Sequence, residues 1–372
     1  MNIVVFGSSI VSAYWNGAAT YYRGMCRALD ARGHRIRFVE QDIYDRQRNR
    51  DLPDDPAYCQ VRVVSGWPAL EAELRAARAE ADLIVKCNDT GAYDREMEEW
   101  LAAGPGSGPG PGRAAVPVAF WDVDAPATLA ECAAPDSYLR PLIPRFACVF
   151  TYGGGDPVVE GYRAIGARRV VPVYNAVDAG DYRPVAPDPA YAADVLFMGN
   201  RLPDREARFR DFFLEAARRA PRATFVLGGA GWDGLPLPPN VRAIGHCPTP
   251  LHPVLNCSAR LVLNINREAM AATGFSPPTR VFEAAACGAC LVTDAWEGVE
   301  RFFEPQREIL VAGGPQDLVR YVETVSPAAA RAVGERARRR ALRDHTYASR
   351  AVTFEQAARA LCAPGARAAA PA

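Results

Sequence analysis

The residues best equipped for chemistry lie in one run of the second half, T-G-F-S-P-P-T-R-V-F-E-A-A-A-C-G-A-C-L-V-T-D, from Thr273 to Asp294. Its middle reads as a loop, a helix over about Pro278 to Ala286, a glycine stop at Gly288 and a strand. Ser276 stands at the N-cap position and prolines fill the first helical turn, where a missing N–H is tolerated. The unpaired N–H groups of that turn could bind a phosphate. Glu283 lies about a turn and a half further on, in an otherwise apolar helix where a bare carboxylate is costly, so a ligand such as a ribose diol, or an arginine, is expected to satisfy it.

The elements that must position these residues follow from periodicity. The first 40 residues read strand (N-I-V-V-F-G), glycine turn, helix, strand (R-I-R-F-V-E), with Tyr21, Met25 and Leu29 four apart on one helical face. Short apolar runs continue at Asp82–Cys87, Val116–Trp121, Ala147–Tyr152 and Val170–Tyr174, then in D-V-L-F-M-G, T-F-V-L-G-G, V-R-A-I-G-H, L-V-L-N-I-N, C-L-V-T-D and E-I-L-V-A. Strands alternating with helical stretches imply doubly wound parallel sheets, whose ligands sit at the carboxyl ends of the strands. The 372 residues suit two domains of roughly 150 to 180 residues each. The Pro- and Asp-rich stretch from Val177 to Ala193 separates them. We expect an N-terminal domain over 1–178 with a flexible Gly/Pro loop at 104–112, a C-terminal domain over 179–345, and a last helix with a disordered tail over 346–372.

Composition narrows the function. Forty-three basic residues balance 43 acidic ones, which argues against a global grip on nucleic acid or anionic lipid. The ten cysteines are scattered, and the single close pair, Cys287 and Cys290, has no companion at zinc-ligand spacing. Reduced, mostly buried thiols are expected, with no metal site. No transmembrane segment is expected, and the opening M-N-I-V-V-F-G-S-S lacks the pattern of a secretory leader, so a cytoplasmic location is expected. The first turn reads G-S-S-I-V-S where a dinucleotide fold would carry G-x-G-x-x-G; Glu40, at the end of the second strand, is the one acid placed for a ribose there. Neither a P-loop nor a G-x-S-x-G element occurs.

The run from Asn264 to Val311, with N-I-N-R-E-A-M, G-F-S-P-P-T-R-V-F-E-A-A-A-C-G, D-A-W-E-G-V-E-R-F-F-E-P and E-I-L-V-A, resembles the CgeB-like glycosyltransferases, related to the retaining glycosyltransferase family 4. So do N-G-A-A-T-Y-Y-R-G-M, F-W-D-V-D-A-P-A-T-L, F-T-Y-G-G-G-D-P and V-Y-N-A-V-D in the first half. The resemblance spans residues 1 to about 312. It implies a GT-B fold, two Rossmann-like doubly wound domains facing a central cleft: the second binds a nucleotide-sugar, the first an acceptor, and the last helix returns to the first.

Carried over residue by residue, Glu283 resembles the second glutamate of the E-x7-E element and would hold the ribose; Phe275 stands where the first glutamate would fall. Arg201 and Arg205 in F-M-G-N-R-L-P-D-R resemble the basic pair facing the donor diphosphate, where charge grows on the leaving group. Gly199, Ser276 and Arg280 complete the implied donor set. On the acceptor side the candidates are Asn16, which could cap the first helix or touch the ligand, Gly17, Asp122, and Asp89, a second base candidate with helix capping as its competing reading. Either Asp122 or Asp124, in W-D-V-D, could serve as a general base, and a helix-capping carboxylate is the competing reading of each. The expected reaction is metal-independent transfer from a nucleoside-diphosphate sugar to an unknown acceptor, with no other cofactor and with retention slightly favoured. A GT-B-fold epimerase and a non-catalytic nucleotide-sugar or glycan binder are the alternatives. Donor base, acceptor and oligomeric state are not legible.

Overall fold

A computed structural model describes residues 1–88, 91–104 and 115–363. Asp89, nearly all of the expected 104–112 loop and almost the whole tail lie outside the described residues. Two compact units form, Met1–Tyr174 with Tyr347–Ala372, and Asn175–Thr346. The chain changes unit four residues before the expected boundary.

The first unit alternates β1 (Asn2–Phe6), α1 (Ala19–Asp30), β2 (Arg35–Gln41), β3 (Gln60–Val64), α2 (Trp67–Glu80), β4 (Leu83–Cys87), α3 (Asp94–Ala102), β5 (Val118–Asp122), α4 (Ala125–Cys132), β6 (Cys148–Thr151), α5 (Gly155–Ala164) and β7 (Val170–Pro172). Its seven strands are parallel, in the order β3-β2-β1-β4-β5-β6-β7. Central strands such as L-I-V-K-C and V-A-F-W-D are buried along their whole length, as a sheet covered on both faces requires. Tyr21, Met25 and Leu29 form the buried face of α1, as their spacing predicts. Strand β3 was not among the expected runs: Q-V-R-V-V is an edge strand, half exposed, and lacks the continuous apolar signal.

The second unit contains β8 (Ala193–Met198), α6 (Pro203–Phe209), α7 (Glu215–Arg219), β9 (Phe225–Gly228), β10 (Val241–Gly245), α8 (His252–Ser258), β11 (Ala259–Asn264), α9 (Glu268–Thr273), α10 (Thr279–Ala286), β12 (Leu291–Asp294), β13 (Leu310–Ala312), α11 (Pro315–Thr324) and α12 (Pro327–Asp344). Its six strands are parallel, ordered β10-β9-β8-β11-β12-β13. A π-helical turn, Arg210–Leu214, joins α6 to α7, so the continuous helix they form carries an extra residue in its middle. Phe197, Phe209, Phe213 and Trp232 pack as one aromatic group beneath the end of β8.

The final helix, α13 (Tyr347–Cys362), belongs to the first unit. Phe354 lies 5.0 Å from the ring of Trp121 and 4.7 Å from that of Phe150. Glu355 accepts from both Arg32 and Arg359, tying α13 to the end of α1. Among the described residues no helix is long and apolar enough to cross a membrane.

Candidate functional site

In the second unit the loops after β8 and β9 are laced together. Gly199 N–H donates to Gly228 O (2.9 Å), Arg201 N–H to Ala230 O (2.9 Å), Ala230 N–H to Asn200 Oδ1 (3.0 Å) and Trp232 Nε1 to Gly199 O (2.8 Å). These bonds fix Gly199 at the carboxyl edge of the sheet, and two guanidinium groups converge on it. A Cβ at Gly199 would stand 3.0 Å from Arg205 Nη1 and 3.1 Å from Arg280 Nη2.

Two like charges brought so close repel unless an anion joins them. Arg205 is 6% exposed; its Nη1 donates to Asn200 O at 3.3 Å, and Nε finds no partner. Burial, with Arg280 as the next cause, pulls its pKa down to about 9. Arg280 Nη1 donates to Asn264 Oδ1 (3.5 Å), and its guanidinium lies 5.7 Å from the centre of the Phe197 ring. Arg205, buried and with an unpartnered Nε, beside the Arg280 guanidinium, is chemically suited to an anion: a diphosphate oxygen could accept from Arg205 and bring balancing negative charge.

The approach to α10 carries the other residues expected on the donor side. Ser276 is 3% exposed and its hydroxyl has no hydrogen-bond partner, a state that normally calls for a ligand or water. Its expected capping role is corrected: Pro278 occupies the N-cap position, and no side chain caps the helix. Asn175 anchors this entry, donating from Nδ2 to Pro277 O (3.0 Å) and accepting from Thr279 Oγ1 (3.2 Å). Glu283 follows Arg280 by three positions, hence on the same helical side, and is 6% exposed. Phe275 has a left-handed backbone (φ 49°), and Arg301 sits over its ring at 4.6 Å.

Arg201 is placed differently from its expected partner. Its guanidinium forms a two-pronged ion pair with Glu206 (2.8 and 2.9 Å), which also accepts from Arg210. The resemblance pairs Arg201 with Arg205; the fold instead brings Arg205 together with Arg280, from a helix 75 positions on. The residues that sequence reasoning passed over form the floor beneath. Asp294, at the end of β12, is fully buried and accepts from Arg208 Nη2 (2.7 Å) and Asn266 N–H (3.0 Å); burial raises its pKa against the opposing pull of Arg208. Asn264 Nδ2 donates to Asn266 Oδ1 (3.1 Å) and Thr293 Oγ1 (3.0 Å). The available signal was the polar residue ending each apolar run, in L-V-L-N-I-N and L-V-T-D.

In the first unit, Asp122 is wholly buried. One oxygen accepts from Asp124 N–H (2.8 Å) and Thr128 Oγ1 (3.0 Å), the other from the Tyr162 hydroxyl. One oxygen thus holds the β5–α4 turn and the other the Tyr162 hydroxyl of α5, and no oxygen is presented to a hydroxyl outside the protein. Asp124, half-buried at the start of α4, is the more accessible of the two. Asn16 spends its amide on the loop: Nδ2 donates to Ser9 O (2.8 Å) and Ser12 O (3.0 Å), and Oδ1 accepts from Ser8 Oγ (3.0 Å). Gly17 is exposed, with open space where a Cβ would stand. Glu40 accepts from Ile10 N–H (2.7 Å), Ser9 Oγ (3.0 Å) and Gln47 Nε2 (2.7 Å), so it organises the same loop.

Burial lifts the Asp122 pKa to about 7. A carboxyl whose folded pKa exceeds its unfolded value near 4 binds more protons folded than unfolded, so its contribution to stability falls as pH rises from about 4 to 7. Asp122→Asn is expected to remove that slope from urea-unfolding curves while keeping stability within about 1 kcal/mol at pH 7, because the amide can still serve Thr128 and Tyr162. Asp122→Ala is expected to lose about 2 to 4 kcal/mol by leaving the Tyr162 hydroxyl buried and unpaired. An unchanged slope in the asparagine variant would exclude Asp122 as its source.

Residues 205–356 match the family model described as glycosyl transferase-like. The fold is that of GT-B glycosyltransferases. Sucrose-phosphate synthase from Thermosynechococcus elongatus aligns with a TM-score of 0.72 at 14% identity, covering 97% of this chain and 99% of that one. Anabaena HepE in complex with UDP-glucose gives 0.65 at 16% identity, with coverages of 97% and 99%. The T4 phage enzyme BGT in complex with its UDP-glucose substrate gives 0.62 at 12%, with coverages of 96% and 99%. No curated protein matches the sequence.

Proposed function

We propose that this glycosyltransferase takes its sugar from a uridine-diphosphate sugar and passes it to an acceptor nucleophile, with Arg205 and Arg280 as the clamp on the diphosphate. The observation that carries the reading is their convergence on Gly199. As the bond from the anomeric carbon to the β-phosphate oxygen breaks, its electron pair and negative charge move onto the phosphate. Fixed guanidinium donors stabilise charge that develops there, and Arg205 supplies unfilled donor capacity. These two cations take the part a metal plays elsewhere, so transfer is proposed to be metal-independent. Ser276 would donate to a phosphate oxygen, and Glu283 would accept from the ribose hydroxyls. Arg201, engaged with Glu206, is assigned to shaping the loop. We favour retention of configuration, in which the departing phosphate takes the acceptor proton on the same face. The uridine assignment draws on the ligands of the HepE and T4 structures.

Calorimetry with UDP, GDP and TDP, each with and without EDTA, tests this. UDP is expected to bind most tightly, EDTA to change nothing, and Arg280→Ala to lose about 100-fold in affinity. Absence of binding by all three nucleotides, or equal UDP affinity in Arg280→Ala, would overturn the donor assignment. An acceptor-free incubation with UDP-sugar separates transfer from epimerisation, since only an epimerase would release an altered sugar nucleotide.

A further inference from the structure

The largest exposed apolar side chains among the described residues are Trp15 (45%), Tyr44 (63%), Val63 and Val352. The two aromatic ones share a location and a conformation. Trp15 lies on the loop after β1 and Tyr44 on the loop after β2, neighbouring strands whose carboxyl ends carry both loops. Each has a left-handed backbone, φ 49° and 57°. Bulky residues rarely adopt that region, and such strain persists only where the surroundings over-determine it.

The surroundings here do so. Ser12 Oγ donates to Asn49 O (2.6 Å), Arg46 Nη1 to Ser8 O (2.9 Å) and Ala13 N–H to Asp51 Oδ1 (2.9 Å). Arg23 grips Asp51 with two bonds of 2.8 Å. With the Asn16 and Glu40 bonds described above, the two loops are one hydrogen-bonded body. A glycine at position 15 would remove the strain, and the chain places one only two residues later, at Gly17. The strained site instead carries an indole, met edge-on by Tyr14 (6.4 Å, 83°) and still open to solvent. Rings displayed this way, at the sheet edge where doubly wound folds take their ligands, are stacking platforms.

Resting on the glycosyltransferase reading above, we propose that the laced loops form the acceptor subsite and that Trp15, aided by Tyr44, stacks on the flat ring face of a small ring-bearing acceptor. The shared chemistry is a planar or chair ring with an apolar face and a free hydroxyl at its edge. A stacked pyranose and an aromatic aglycone both offer it.

The full chain, labelled with 5-fluorotryptophan, is titrated with maltotriose as the pyranose probe and with 4-nitrophenol as the aromatic probe. At least one is expected to shift the fluorine resonance of Trp15, identified by its absence from Trp15→Phe. Trp15→Ala is expected to bind that probe about tenfold more weakly with unchanged melting temperature and UDP affinity. A response to maltotriose marks a glycan acceptor, and one to 4-nitrophenol an aromatic one. A silent Trp15 resonance with both probes, or equal probe affinity in Trp15→Ala, would overturn the proposal. UDP affinity measured on the same samples reports on the donor reading separately, so failure of one is distinguishable from failure of the other.

Discussion

Arg205→Ala is expected to lower turnover by roughly 30- to 1000-fold, equivalent to about 2 to 4 kcal/mol of lost transition-state stabilisation, while making the ligand-free protein more stable. The opposite signs share one cause. Without a diphosphate, Arg205 is a buried cation beside Arg280 with too few acceptors, and replacing such a group by an apolar one is commonly stabilising, here by about 1 to 3 kcal/mol. The pH dependence has a definite sign. With a folded pKa near 9, against an ordinary value of 12.5, the folded state binds fewer protons than the unfolded one between those values. The penalty is therefore fully present below pH 9 and relaxes as pH rises through that interval, so the stability gap between variant and wild type should narrow there. Chemical denaturation at pH 7.5 and 10, beside initial rates of UDP-sugar turnover, measures both. A variant that loses stability at pH 7.5, or keeps wild-type turnover, would contradict the arginine clamp.

Gly229→Ala is expected to cost about 3 to 5 kcal/mol, among the largest effects a single methyl group can have. A Cβ there would stand 2.2 Å from Gly199 O, which is backbone and cannot swing aside, and the φ of 125° is one that L side chains rarely adopt. Relief requires parting the loops after β8 and β9, and with them the floor on which Arg205 and Arg280 meet. UDP affinity should fall with stability. Gly17→Ala is the matched control: nothing lies within 4 Å of the new methyl, so its unfolding midpoint should stay within about 0.5 kcal/mol of wild type. Equal midpoints for Gly229→Ala and wild type would mean that the two loops do not make this contact.

The first of these effects was half legible in the sequence. Arg205 and Arg280 both stood in the donor set that the resemblance implied, but nothing in their spacing joins them. Ser276 was legible as a helix cap, a local reading; only the position of Pro278 showed its hydroxyl to be spare and buried. Asp122 was legible as a carboxylate at a strand end, and its complete burial under Tyr162 and Thr128 was not.

What the sequence determined by itself is whatever a few adjacent residues decide. Apolar runs bounded by turn residues named twelve of the thirteen strands among the described residues, and the missing one, β3, is an edge strand whose half-exposed pattern carries little signal. Four-residue spacing named the buried face of α1, and the alternation of the two periods named two parallel α/β units. Tertiary structure alone decided which polar groups meet, because a sheet places side by side strand ends that lie tens of residues apart. Arg201 turned to Glu206 while Arg205 turned to Arg280, since hydrogen bonds and charge pairing act through space over a few ångströms and take no account of distance along the chain.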